Sequence, residues 1–457
     1  MDLRSPPPRY RPLTMDQSSH PVARVRFPEA LRFWVKLGFV NFGGPTGQIA
    51  IMHHELVERR RWIDEERYLH ALNFAMLLPG PEAHQLAIYA GWLLNGAPGA
   101  VAAGVFFLLP AFFLMVGLSW LYAVHGDVSW ISAIFAGLSW AVVGIVAAAS
   151  VRIASRALRS AFLYATAGAA FLALFVFGVP FPLVILAAGG LGLGLARRFP
   201  GTFRVGSATG RAIVADRVAP TWRRAARVLV VGLAVWLLPL AAVWLAAGRG
   251  SVLADEAAFF STMALVTFGG AYAVLAYVNQ AAVVRFGWLT AEEMAVGLSL
   301  AETTPGPLIL VVVFVAFLAA YRSPDGLEPV AAGFAGALVA AWATFVPSFL
   351  WIFLGAPSVE RLRGNVRLSA ALVTITAAVV GVIANLAVVF AVSTLFDRTR
   401  TVEILGHPVV LPVPSSIEPF ALLVALAAFV AIGRFRVNVV WVVLGAGLAG
   451  WLRWLVG

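Results

Sequence analysis

The sequence contains no cysteine. That excludes disulfides, iron–sulfur clusters, thiolate-bound zinc and thiol redox chemistry. Charge is also scarce: 12% of the 457 residues are Asp, Glu, Lys or Arg, about half the share of an ordinary soluble domain. Lysine is all but missing, Lys36 being the one we find, so arginine supplies the formal net charge of +11. There is no Gly-x-x-x-x-Gly-Lys-Ser/Thr phosphate loop and no His-Glu-x-x-His pattern. A nucleotide-driven motor within this chain and a zincin-type hydrolase are therefore not expected. No soluble basic domain exists to carry the positive charge to a nucleic acid, so none is expected as a partner.

What the chain has is apolar sequence, 61% of the total. Apolar stretches fall near 31–52, 68–94, 98–123, 129–150, 161–178 and 182–196, and again near 228–247, 257–284, 294–320, 330–354, 368–395, 418–433 and 437–456. Most approach the length that spans a bilayer as a helix. They are too long and alternate too little for barrel strands. The fold class expected is an all-α polytopic membrane protein, multi-pass in the bacterial inner membrane. Residues 1–30 form a basic tail with no apolar h-region, which reads as cytoplasmic and uncleaved. Membrane repeat one is placed at 31–196, a basic linker and bridging helix at 197–256, and membrane repeat two at 257–457.

The two halves are related. Shifted by 226 residues, 42–81 lies on 268–307 without a gap, and 13 of the 40 positions are identical; chance at this composition gives about three. Phe42-Gly43-Gly44 meets Phe268-Gly269-Gly270, Arg59 meets Arg285, Trp62 meets Trp288, and Pro79-Gly80-Pro81 meets Pro305-Gly306-Pro307. Later, Pro110-Ala111-Phe112 resembles Pro347-Ser348-Phe349 after an insertion. An odd number of apolar segments precedes the second Phe-Gly-Gly, so the repeats are expected to have inverted topology. The arginines at 152–159, 197–227, 361–367 and 434–436 can then all face the cytoplasm, as positive-inside topology requires. Arg59, Arg60, Arg61 and Arg67 fit that pattern badly, since basic residues also precede the first segment. Inverted repeats with paired broken helices are a transporter architecture, with the site near mid-membrane.

Two prolines around a glycine break a helix, because each proline lacks an N–H and clashes with the preceding turn. The break bares the first amides of the next helix, which favour an anion. Such exposed backbone is tolerated in a membrane only when packed in protein or lining a cavity. The same motif also serves as a structural kink, the reading preferred for the single Pro110 and Pro347. Polar residues follow the first break (Glu82, His84, Gln85) and precede the second (Glu302, Thr303, Thr304). In inverted repeats both sets lie on one side, expected to be cytoplasmic. Glu82, His84, Glu302 and His53 are candidate proton-coupling groups, since an intramembrane carboxylate is costly and is functional by default. Glu82 also reads as a helix cap and Glu302 as interfacial. Arg59 and Arg285 suit oxyanion geometry, or anchor the interface beside Trp62 and Trp288. Gln48, Asn41 and Asn73 could donate to an anion or join helices. His53, His54, Glu55 and His84 could hold a metal only without the usual spacing, so no metal and no cofactor is expected.

The runs Asn41–Gln48, His53–Trp62 and Leu72–Gln85 strongly resemble the chromate ion transporter family, and the second Phe-Gly-Gly with Thr304–Pro307 fits its long, two-domain form. The resemblance covers essentially 31–456. It implies proton-motive-force-driven efflux of chromate from the bacterial cytoplasm, with sulfate as mimic and competitor. The motif residues it carries over are Gly43, Gly44, Pro45, Gln48, Arg59, Trp62, Pro79, Gly80, Pro81, Glu82 and Gln85, with Gly269, Gly270, Pro305, Gly306 and Pro307; His84 departs from the family's commoner glutamine. The substrate-binding set expected is therefore these breaks with Gln48, Arg59, Gln85, Arg285, Thr303 and Thr304. Partners expected are chromate, with sulfate as its alternative, protons and the lipid bilayer, and a homodimer is left open. Uptake or exchange of sulfate or another oxyanion is the alternative, and a membrane-embedded metalloenzyme or reductase the alternative of a different class.

Overall fold

A computed structural model describes residues 25–196, 221–268, 270–355, 366–404 and 407–456. The tail through residue 24, Arg197, Arg198, Arg204, Arg211, Arg217, Gly269, Arg361 and Arg363 lie outside the described residues. The first repeat runs α1 (Phe27–Val40), α2 (Gly44–His53), α3 (Glu65–Ala75), α4 (Glu82–His125), α5 (Ser129–Ala157), α6 (Ala161–Phe175) and α7 (Phe181–Leu195). After the bridging helix α8 (Trp222–Ala247) come α9 (Val252–Val266), α10 (Ala271–Asn279), α11 (Ala291–Thr303), α12 (Val311–Arg322), α13 (Pro329–Gly355), α14 (Val366–Leu395), α15 (Pro419–Gly433) and α16 (Val439–Val456). Six of them (α4, α5, α8, α13, α14, α16) are long and apolar enough to cross a membrane, and α6, α7, α12 and α15 are shorter apolar helices. The chain is a multi-pass, α-helical membrane protein.

The thirteen apolar stretches are thus not thirteen spans. Those near 31–52, 68–94, 257–284 and 294–320 are each cut in two, at residues 41–43, 76–81, 267–270 and 304–307. A second departure is an antiparallel hairpin of β1 (Thr399–Ile404) and β2 (His407–Pro412) between α14 and α15. Its β-branched residues fall in a connection too polar for a membrane helix, where a pleated pair satisfies the backbone instead.

The repeats match in detail that identity alone does not convey. Each second helix continues into a π-helical turn, His54–Arg59 after α2 and Gln280–Arg285 after α10. The shift between them is again 226. Each π turn is closed by a tryptophan amide, Trp62 to the Leu56 carbonyl and Trp288 to the Ala282 carbonyl, both at 2.8 Å. The next helix is capped at the equivalent residue: Asp64 accepts from the Arg67 amide, and Thr290 forms a capping box with Glu293. These caps satisfy amides that a helix start leaves open.

The halves are interlocked. α5 packs on α15 and α16 of the second repeat, while its counterpart α14 packs on α6 and α7 of the first. Small residues permit the close approach, as in membrane helix pairs generally. Gly137 and Gly450 let α5 and α16 backbones touch, and Gly381 sits on the Ala167 backbone between α14 and α6. α8 lies on the outside: Leu229, Val230, Leu238 and Leu245 are exposed. It is tied to α13 by Trp236 Nε1, which donates to the Ala343 carbonyl at 3.1 Å. Pro347, lacking an N–H, leaves that carbonyl without its helical donor.

α4 gives the depth scale. It kinks at Asn95 and Gly96, and residues 97–125 then rise about 43 Å. At one end Asn95 Nδ2 donates to the Val25 carbonyl before α1, at 2.8 Å. At the other, the Tyr122 ring meets Phe314 of α12 with centroids 5.3 Å apart. Ala111, half way along, touches Gly306. The broken hairpins of both repeats therefore end near the middle of one long helix.

Candidate functional site

Two backbone hydrogen bonds define the place where those hairpins meet. The Gly80 amide donates to the Thr267 carbonyl at 3.0 Å, and the Gly306 amide donates to the Asn41 carbonyl at 2.8 Å. The repeat shift of 226 relates them in exchange: Gly80 corresponds to Gly306, and Asn41 to Thr267. Each Pro-Gly-Pro break thus holds the other repeat's chain just before its Phe-Gly-Gly. Contacts that exchange in this way are what a local two-fold relation requires. Gly80 (φ +126) and Gly306 (φ +105) are left-handed, a conformation that disfavours any side chain. Pro79 with Pro81, and Pro305 with Pro307, flank them.

Three buried amide side chains surround this crossover. Gln48 donates to the Gly306 carbonyl in a short bond. Gln85 Nε2 donates to the Pro79 carbonyl at 2.7 Å. Asn41, Gln48 and Gln85 are all fully buried. Yet Gln48 Oε1, Gln85 Oε1 and both polar atoms of the Asn41 side chain find no partner among the described residues. Buried polar groups are nearly always satisfied, and leaving them otherwise is costly. The crossover holds hydrogen-bonding capacity that the fold itself does not use. The first turn of α4, whose earliest internal bond is Gln85 to Pro81 at 3.0 Å, adds open amides beside it.

Both candidate carboxylates border the start of α10. Tyr272, two residues after Gly270, donates its hydroxyl to Glu302 at 2.6 Å. A Cβ placed on Gly270 would sit 3.5 Å from Glu82 Oε1. Gly269, between the two flanking residues Phe268 and Gly270, lies outside the described residues. His84 is turned elsewhere. On a helix it stands about 200° from Glu82, and its Nε2 bonds the Gly104 carbonyl at 3.2 Å amid Phe107, Phe345 and Phe349. The Thr303 and Thr304 hydroxyls are spent on their own helix, bonding Ser299 and Ala301 carbonyls at 3.1 and 3.2 Å. Gly43 and Gly44 open α2 at the first break.

Comparison with known proteins decides the family. A family description, Chromate transporter, matches residues 29–193 and 255–451. The chain belongs to the chromate transporter family. It is similar to the Chromate transport protein of Pseudomonas aeruginosa, at 32% identity over 94% of this chain and 92% of that one. The Probable chromate transport protein of Synechococcus elongatus is 30% identical over 83% of this chain and 87% of its own. The Chromate transport protein of Cupriavidus metallidurans is 28% identical over 83% and 86%. These relatives are transport proteins. No solved structure matches the chain.

In this chromate transporter family member the motif arginines stand apart from the crossover. Arg59 and Arg285 close the two π turns, about 22 Å along the helix from the break, and both are exposed. Arg59 pairs with Glu55 at 2.8 Å, and Arg285 lies over the Phe286 ring at 4.8 Å. Burial raises the Glu55 carboxyl, but the hydrogen bonds from Arg59 and Arg60 outweigh it and hold the group below its ordinary value. His53 belongs to the same outer cluster, with Nε2 2.6 Å from Glu65 and Nδ1 3.2 Å from Glu58. It does not converge with His84, and no metal-sized group of His, Asp and Glu forms among the described residues. Sequence reasoning missed Tyr272 and Thr267. Tyr272 left one signal, a polar-tipped ring in an otherwise apolar run beside the second Gly-Gly.

Proposed function

We propose that this protein exports chromate from the cytoplasm, with protons moving in exchange, through a site at the crossover of two inverted repeats. The observation that carries the proposal is the pair of exchanged bonds, Gly80 to Thr267 and Gly306 to Asn41, with the buried Asn41 Nδ2 donor unpaired among the described residues beside them. Inversion is supported by the long helix of residues 97–125, near one end of which the first repeat begins and toward the other end of which α12 extends. Chromate comes from the family and its named relatives. A tetrahedral dianion presents acceptor oxygens to amide donors and helix starts. Glu82 and Glu302 supply the coupling. Exchange requires that the carboxylates carry their protons inward on the return of the chromate-free site and give them up to the cytoplasm.

The test is radiolabelled chromate uptake into inverted membrane vesicles, with and without an imposed proton gradient. Wild type is expected to accumulate chromate when the gradient is present, and Glu82→Gln to lose the response to it. Equal uptake with and without the gradient would overturn the coupling. Uptake by right-side-out vesicles alone would overturn the direction.

A further inference from the structure

The two breaks share one backbone and differ in what they face. A Cβ on Gly80 would lie 2.5 Å from Gln85 Nε2 and 3.2 Å from Ser348 Oγ. A Cβ on Gly306 would lie 2.6 Å from the Ala111 side chain and 3.0 Å from Leu310. Ser348 and Ala111 are themselves equivalent, each following the proline of α13 or α4. So each break meets the long helix of the opposite repeat, through a hydroxyl at Gly80 and through a methyl group at Gly306.

The polarity extends along α13. Thr344, Ser348 and Trp351 stand at i, i+4 and i+7, within about 60° of one face. The Thr344 and Ser348 side chains are 1% exposed. Thr344 Oγ1, Ser348 Oγ and Trp351 Nε1 all lack a hydrogen-bond partner among the described residues. Ser150 of α5 shares this state, but other buried helical hydroxyls bond the carbonyl one turn back: Ser119 to Met115 at 2.6 Å, Thr374 to Ala370 at 2.9 Å, Ser299 to Ala295 at 3.1 Å. The equivalent positions on α4 are Phe107, Ala111 and Leu114, which have nothing to donate.

We infer that the transporter has one oxyanion subsite rather than two, on the Gly80 side of the crossover, and that Thr344, Ser348 and Trp351 of α13 complete it as neutral donors with Gln85. The inference rests on the reading of the crossover as the oxyanion site. A tetrahedral oxyanion supplies the acceptors these three groups lack. The Gly306 side has the Asn41 and Gln48 amides but Phe107, Ala111 and Leu114 where the Gly80 side has Thr344, Ser348 and Trp351, so its long helix adds no donor. Two-fold backbone symmetry therefore does not imply two substrates per chain.

The test compares Ser348→Ala and Thr344→Val with Ser119→Ala, whose hydroxyl is already spent. Chromate KM and maximal rate are measured in inverted vesicles, with the amount of each variant in the membrane fixed by immunoblot. Loss of one donor to a charged ligand is expected to raise KM about tenfold. Ser348→Thr should restore it, and Ser119→Ala should keep the wild-type KM. Wild-type KM in both Ser348→Ala and Thr344→Val, with wild-type vesicles active, would overturn the inference and leave the transport reading standing. No chromate uptake by wild-type vesicles would overturn the transport reading and this inference with it.

Discussion

The Gly80 amide and the Thr267 carbonyl are 3.0 Å apart, though 187 residues separate them in sequence. Gly80 makes that bond from a left-handed backbone, with Gln85 and Ser348 occupying the space a Cβ would need. Gly80→Ala is therefore expected to cut chromate uptake into inverted vesicles to below about a tenth of wild type, since the strain and contact together cost on the order of 1–3 kcal/mol. Gly306→Ala should do the same, its Cβ meeting Ala111. Full activity in either variant would show that the break tolerates a side chain.

The absence of native cysteine makes topology directly measurable. Single cysteines at Glu82 and Glu302 should both react with an impermeant thiol reagent from the cytoplasmic side, because both carboxylates border the first turn of α10. Reaction from opposite sides would refute a shared vestibule.

Gln48 holds the Gly306 carbonyl. Gln48→Leu removes that bond and leaves the carbonyl buried, a loss of about 1–3 kcal/mol. A lower melting temperature in detergent, with chromate uptake falling in step, is the expected result. An unchanged melting temperature would mean the clasp contributes nothing.

Acid should loosen the outer end of the second repeat. Burial raises the Glu293 carboxyl, but its bonds from Arg322, the Thr290 amide and Tyr122 outweigh burial and depress it. A depressed carboxylate adds stability that is present above its ordinary value and is lost as pH falls through the lower, folded one. Melting temperature should thus drop on acidification below the ordinary carboxylate range, and drop less in Glu293→Gln. Thr290→Ala, which removes the cap, should cost about 1 kcal/mol at any pH.

Glu256 on α9 is fully buried against Gly336, and neither carboxyl oxygen has a partner among the described residues. A buried polar group left without a partner costs about 1–3 kcal/mol, a cost an apolar side chain of similar size does not carry. Glu256→Leu is expected to raise the melting temperature by several degrees. A lower one would mean that the carboxyl is satisfied in the membrane.

Much of the architecture was legible in the chain. Apolar length marked the membrane helices, and the ungapped repeat placed Pro79-Gly80-Pro81 and Pro305-Gly306-Pro307 as equivalent breaks, because proline and glycine act on their own backbone. Glu82, Gln85, Gln48 and Glu302 stood out as polar groups in apolar runs. The π turns did not, since an extra residue in a turn leaves no compositional mark, and neither did the hairpin at 399–412.

The sequence by itself determined a membrane-embedded, duplicated chain with two fractured helices, because hydropathy, proline and glycine are local properties. Only the tertiary structure decided that each fracture clasps the opposite repeat, that Arg59 and Arg285 stand at the far ends of their helices, and that Ser348 rather than Ala111 faces a polar break. Those are relations between segments hundreds of residues apart. They follow from how the helices pack, which no local pattern records.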